Sequence, residues 1–186
     1  MEKGLEGRLK EKLVSSEEVF QGRIIKVQVD TVELPDGKTA KREVVKHPGA
    51  VVILPLTDEG EVVMVRQYRH APGEILLELP AGKRDGGEEP LECAKRELEE
   101  ETGYTAEQWQ VICSFYTSPG FCDELLYLVL AKGLIKGEAR PDEGEFIDVV
   151  TIPLAEAAQM VLSGEIKDGK TCLGILAGCA LHDHDE

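Results

Sequence analysis

The sequence has little positive charge, no paired cysteines and no long apolar run, and each absence removes a class of function. Lys and Arg number 21 against 36 Asp and Glu, a formal charge of −15. Binding to long nucleic acid is driven mostly by neutralising phosphates with Lys and Arg, so RNA or DNA is not an expected partner. A small anionic ligand stays compatible if a metal and a few placed basic residues invert the local field. Cys93, Cys113, Cys122, Cys172 and Cys179 are scattered, with no C-x-x-C pair or zinc spacing, and read as reduced thiols in a cytoplasmic protein. No apolar run approaches a membrane span, and Met1-Glu2-Lys3-Gly4 lacks the basic-then-apolar pattern of a signal segment. The expectation is a soluble chain with no membrane partner. Without repeats or linkers, 186 residues fit one domain, or one with a small appendage, burying roughly 70% of the unfolded surface.

What is present centres on Gly82 to Tyr104. Glu89-Pro90 predicts a helix opening, since Pro suits the first helical position and Glu89 is placed to cap; Gly103 closes it. Leu91, Ala94, Leu98 and Thr102 form an apolar stripe at helical spacing. At about 100° per residue, Glu101 falls at the edge of that stripe, with Glu97 and Glu100 further round the same flank. Three carboxylates thus crowd the last turns, where the helix dipole disfavours negative charge and like charges at i,i+4 repel. The arrangement calls for a compensating hard cation held by oxygens, such as Mg²⁺; the bland alternative is a solvated acidic face.

Along the chain, Leu5, Leu9 and Leu13 allow a short N-terminal helix. Residues 18–33 read as one strand, turned by Leu34-Pro35-Asp36-Gly37-Lys38 into a partner at 39–46. The apolar run at 50–56 predicts a buried strand, and further strands are expected at 61–68, 75–79, 108–116, 125–131 and 146–152. Residues 153–162 and 171–181 read as helices, and 117–124 and 140–145 as loops. Helices fore and aft of the strands predict an α/β fold, an α/β/α sandwich with a mixed sheet and an N-terminal antiparallel β hairpin. The expected division is an N-terminal β subdomain at 1–47 and a main domain at 48–186. The closing His182-Asp183-His184-Asp185-Glu186 reads as a solvated tail.

The spacing of Gly82, Glu88 and Arg96-Glu97-Leu98-Glu99-Glu100-Glu101-Thr102-Gly103 reproduces every fixed position of the Nudix box, and the chain resembles the Nudix hydrolase family. That family cleaves a nucleoside diphosphate linked to another group. The resemblance implies that Glu97, Glu100 and Glu101 bind Mg²⁺ (Mn²⁺ substituting), with the Ala81 carbonyl as a further ligand. It also implies that Arg96 and Glu88 form a structural ion pair and that Glu99 is exposed.

Outside the box, Arg66-Gln67-Tyr68-Arg69, Leu77-Glu78-Leu79-Pro80-Ala81-Gly82 and the 164–171 segment resemble the ADP-ribose pyrophosphatase subgroup. So does Ser118-Pro119-Gly120-Phe121, whose Pro119 lies sixteen residues after Gly103. On that resemblance Arg69 contacts a substrate phosphate, Arg42 stacks on adenine from a second subunit, and Arg23 closes the other side of the base. Glu124 accepts hydrogen bonds from ribose hydroxyls, and Gly120, in the same loop, binds substrate. Glu143 is implied as general base, and Glu145 as a further metal ligand, on a loop that Gly144 lets move. The implied reaction is Mg²⁺-dependent hydrolysis of ADP-ribose to AMP and ribose 5-phosphate. Alternatives are another nucleotide sugar such as GDP-mannose, or a non-catalytic sensor, which the intact box carboxylates argue against. A homodimer through the N-terminal hairpin is expected, since that hairpin alone would expose an edge.

Overall fold

Alternate residues of one central strand explain the arrangement of the main body. The computed structural model describes residues 2–185; the side chains of His182 to Glu186, read above as a solvated tail, lie outside the described residues. The chain divides into two compact units, Met1–Gly49 with Tyr116–Leu125, and Ala50–Phe115 with Leu126–Glu186.

In the second unit, β4 (Ala50–Pro55) is buried at every position. Val52 and Leu54 face one apolar cluster and Val51 and Ile53 the other, as the two-residue period of a strand requires. β4 runs parallel to β9 (Leu125–Lys136), from Ala50 opposite Leu126 to Pro55 opposite Ala131, and antiparallel to β7 (Ala81–Lys83). With β8 (Tyr104–Tyr116) the sheet order is β7-β4-β9-β8. A second sheet, β10-β5-β6, joins β5 (Glu61–Arg69), β6 (Glu74–Glu78) and β10 (Asp148–Pro153) antiparallel.

Helix α2 (Pro90–Thr102) supplies Cys93, Ala94 and Leu98 to the cluster with Val51 and Ile53. Helices α3 (Leu154–Ser163) and α4 (Gly169–Asp185) supply Leu154, Ala157 and Ile175 to the cluster with Val52 and Leu54. Helices therefore cover both faces of β4, the expected α/β/α sandwich. Gly174 lets α4 approach closely, because a Cβ there would stand 2.4 Å from Leu79 Cδ1.

In the first unit, β1 (Lys12–Gln21), β2 (Lys26–Glu33) and β3 (Thr39–Lys46) form an antiparallel sheet in that order. The sheet has three strands where the pattern predicts two. Gly22 N donates to Ile25 O at 2.9 Å, turning the chain inside the 18–33 segment. β1 is exposed along its whole length, so no apolar/polar alternation marks it. Helix α1 (Glu2–Leu9) takes Leu5 and Leu9 but stops short of Leu13, which belongs to β1. No helix among the described residues is long and apolar enough to cross a membrane.

Candidate active site

The site is built where β7 meets α2. Pro90 opens the helix, and Gly103 ends it in the left-handed region at φ 75°, its N–H donating to Glu99 O. Glu89 stands at the N-cap, but its side chain makes no capping hydrogen bond, contrary to expectation; Pro at the next position leaves one fewer N–H to cap. Ala94, Leu98 and Thr102 are buried as the stripe requires, and Glu99 is exposed.

Glu101 is carried inward with the stripe and is 5% exposed. Its Oε2 accepts from Ala81 N at 3.1 Å, which ties the helix to β7 at the residue whose carbonyl is the expected metal ligand. Burial pushes the Glu101 carboxyl up to about 8, against the Ala81 hydrogen bond and with reinforcement from Glu97 and Glu145. Burial likewise raises Glu97, opposed by Arg96 and reinforced by Glu100 and Glu145. Glu97 lies directly over Gly82: a Cβ at Gly82 would sit 1.8 Å from Glu97 Cδ.

Arg96 does more than the expected pairing. Its Nη2 and Nε reach Glu88 at 3.0 and 3.2 Å, the structural ion pair, while Nη1 donates to Glu97 Oε1 at 2.7 Å and Glu100 Oε2 at 2.9 Å. That guanidinium therefore serves as counter-ion to two of the three expected ligands. Among the described residues, no three His, Cys, Asp or Glu side chains are gathered closely enough to hold a metal ion. The donor chemistry nonetheless fits a hard divalent cation. The carboxylates act on one another electrostatically, two have raised proton affinity through burial and that repulsion, and a glycine leaves room for Glu97. Cys93, on the buried face of α2, has its thiol pushed up to about 12 by burial, so it is not a thiolate nucleophile.

Arg69, at the end of β5, is half-buried and donates through Nε and Nη2 to Glu78 at 2.7 and 2.8 Å. The Glu101 charge also acts on it. Glu143 and Glu145 are exposed in the loop before β10, where Glu145 Oε2 accepts from Asp142 N at 3.3 Å and Gly144 has φ 94°. Glu145 is electrostatically felt by Glu97 and Glu101, whereas Glu143 makes no side-chain hydrogen bond or ion pair among the described residues. The loop is anchored to α2, because Arg140 N donates to Glu100 O at 2.9 Å and Gly137 N to Gly103 O at 2.8 Å.

The remaining expected residues lie in the first unit. Arg42 on β3 is paired with Glu11, Nε to Oε2 at 3.0 Å and Nη2 to Oε1 at 2.5 Å. Arg23 is exposed in the β1–β2 turn and Gly120 in the turn at 118–122. Glu124 accepts from Thr117 Oγ1 at 2.8 Å and lies 3.3 Å from His47 Nδ1. His47 N donates to Asp123 Oδ1 at 2.9 Å, holding the 117–124 loop to the end of β3.

The Arg96 fork and the Glu78 surroundings were not anticipated. For Glu78 a signal existed, a lone carboxylate inside the otherwise apolar Ile75 to Leu79 run, which must find a cation if buried. For Arg96 the helical i,i+4 spacing to Glu100 was the available sign.

A carboxylate-bearing helix packed on a sandwich sheet, with its Glu101 charge acting on a half-buried arginine, suits a hydrolase of the phosphoanhydride-cleaving kind. The chain belongs to the Nudix family of hydrolases: the NUDIX domain model matches residues 45–171, and the nucleoside diphosphate sugar hydrolase N-terminal domain model matches 11–45. It is 50% identical over 167 residues to the methanol dehydrogenase activator of Bacillus methanolicus, covering 89% of this chain and 90% of that one. It is 48% identical over 169 residues to the ADP-ribose pyrophosphatase of Bacillus subtilis (strain 168), covering 90% and 91%. The crystal structure of an ADP compounds hydrolase superposes with a TM-score of 0.84 at 22% identity, covering 95% of this chain and 96% of that one, a likeness of fold.

Proposed function

We propose that the chain hydrolyses the pyrophosphate bond of ADP-ribose to AMP and ribose 5-phosphate, using Mg²⁺, with Mn²⁺ able to substitute. The observation that carries this reading is that Glu101 accepts from Ala81 N and Glu97 lies over Gly82, both on β7, while the Glu101 charge acts on Arg69. Because the two relatives of nearly equal identity carry different names, the substrate assignment rests on residues outside the box.

In this reading Glu97, Glu100, Glu101 and the Ala81 carbonyl hold the metal, joined by Glu145. Bound there, a divalent cation neutralises pyrophosphate charge and lowers the pKa of a water. Arg69 donates charge-assisted hydrogen bonds to a phosphate. Glu143, on the Gly144-containing loop, accepts the proton of the attacking water. Arg96 keeps Glu97 and Glu100 paired until the ligands are needed. Arg23 and Arg42 flank the base, Glu124 accepts hydrogen bonds from the ribose hydroxyls, and Gly120 binds substrate in the same loop. The 1–47 subdomain serves dimerisation, and the enzyme works in the cytoplasm as a homodimer on a nucleotide-sugar substrate.

Replacing Glu101 by Gln removes a ligand from an interaction worth several kcal/mol, so turnover at saturating Mg²⁺ should fall about 10²-fold or more. Steady-state assay of Glu101→Gln and Glu143→Gln tests the roles together. Near wild-type rates for Glu101→Gln would sink the metal assignment, and unchanged turnover for Glu143→Gln would move the base elsewhere.

A further inference from the structure

Glu78 is 1% exposed, and a carboxylate at such depth survives only if its charge is matched. Three donors match it. Arg69 Nε reaches Oε1 at 2.7 Å, and Arg69 Nη2 and Lys170 Nζ reach Oε2 at 2.8 and 2.5 Å. Burial works to raise Glu78, but the hydrogen bonds and charges of the two cations hold its carboxyl below the usual range.

Lys170 is in turn fixed by Asp168, whose Oδ2 accepts from Lys170 Nζ at 2.9 Å, from Thr171 N at 3.0 Å and from Thr171 Oγ1 at 2.5 Å. The bond to Thr171 N is an N-cap contact, since Asp168 directly precedes α4 and Thr171 is its third residue. Thr171 Oγ1, fully buried, accepts from Leu79 N at 2.9 Å. The first turn of α4 thus holds the end of β6 at two successive residues, through Lys170 on Glu78 and Thr171 on Leu79.

A guanidinium has five N–H donors. Glu78 takes two from Arg69, and Arg69 forms no other side-chain hydrogen bond among the described residues. One edge is clamped and the other is unused, on a side chain 41% exposed. Alone, Glu78 would cancel the Arg69 charge. Arg69 and Lys170 carry two positive charges against the two negative charges of Glu78 and Asp168, so the network is neutral as a whole; Lys170 shares Glu78 and Asp168 keeps Lys170 turned inward, which fixes the direction of the open Arg69 edge.

We propose that Lys170 and Asp168 are positioning residues, which act through Glu78 to fix Arg69 with its open edge directed at the pyrophosphate group of the substrate. This rests on the reading of Arg69 as the phosphate contact given above. Neither residue touches the substrate, so the effect belongs to binding more than to turnover.

The test measures KM and kcat for ADP-ribose in Lys170→Met and Asp168→Asn, alone and combined with Arg69→Ala, together with the Arg69 Nε–H resonance of the ligand-free protein. Loss of a charge-assisted contact predicts that Lys170→Met raises KM about tenfold, more than it lowers kcat, with Lys170→Arg restoring most of the loss. In the Arg69→Ala background the same change should move KM less than about twofold, because the residues act as one unit. The Nε–H signal should exchange slowly in the wild type, where it is bonded to Glu78, and faster in Lys170→Met. Effects on KM that add fully to those of Arg69→Ala, or an unchanged Nε–H signal, overturn the proposal. If the wild type leaves ADP-ribose intact, the substrate reading fails while the resonance still decides the positioning. If Lys170→Met does not fold, Asp168→Asn is judged by the same two readouts.

Discussion

Gly82 has no side chain because the Glu97 carboxyl stands where one would be, 1.8 Å from a Cβ built there. The obstacle is the far end of a flexible side chain, so Gly82→Ala should leave the melting temperature nearly unchanged while turning Glu97 away from its neighbours. Misplacing a ligand by an ångström or so predicts roughly a hundredfold loss of metal-dependent turnover, checked by pairing thermal denaturation with an assay. Equal loss of stability and activity would show Gly82 to be structural only. At this scale the sequence was informative about type and spacing, since Glu97, Glu100 and Glu101 fall on one flank by helical period. It was silent on which partner each carboxylate takes. That Arg96 spans Glu88, Glu97 and Glu100 depends on the bend of the 83–88 segment back toward α2, which no local pattern encodes.

Among the elements, α2 was the most legible, with Pro90 and Gly103 marking its ends and a narrow apolar stripe marking its buried face. β1 was the least, because a strand exposed on both faces carries no alternation, and its turn at Gly22 merges it with β2 on the page. The three-residue β7 was missed for its brevity, although it brings Ala81 to Glu101. Gly103 links α2 to the loop that carries Glu143. Its φ of 75° excludes other residues at low cost, and a Cβ would meet Ala139 N at 2.5 Å and Glu138 C at 2.7 Å, both backbone. Gly103→Ala should therefore destabilise the fold by about 1–3 kcal/mol, read from urea denaturation, and release the 137–140 anchor. A stability unchanged within error would mean that this backbone gives way easily.

At the scale of the whole molecule, the acidic balance and the apolar edge point in different directions. A charge of −15 keeps copies apart, yet β1 is an edge strand bearing exposed Leu13, Val14, Val19 and Phe20, a combination that favours pairing with another chain. Sedimentation at working concentration should give the mass of a dimer. A monomer would remove Arg42 from the site, since its assigned role requires a second subunit. The layered architecture was readable from element order, because strands interleaved with amphipathic helices have few ways to bury both faces of β4. The union of 116–125 with the N-terminal sheet was not, since it joins segments far apart in the chain. The most direct measurement is product analysis after incubating the purified chain with ADP-ribose and Mg²⁺, alongside GDP-mannose, NADH and FAD. AMP and ribose 5-phosphate in equal amounts, formed fastest from ADP-ribose and abolished by chelator, are the expected result; intact ADP-ribose beside a cleaved competitor would contradict it.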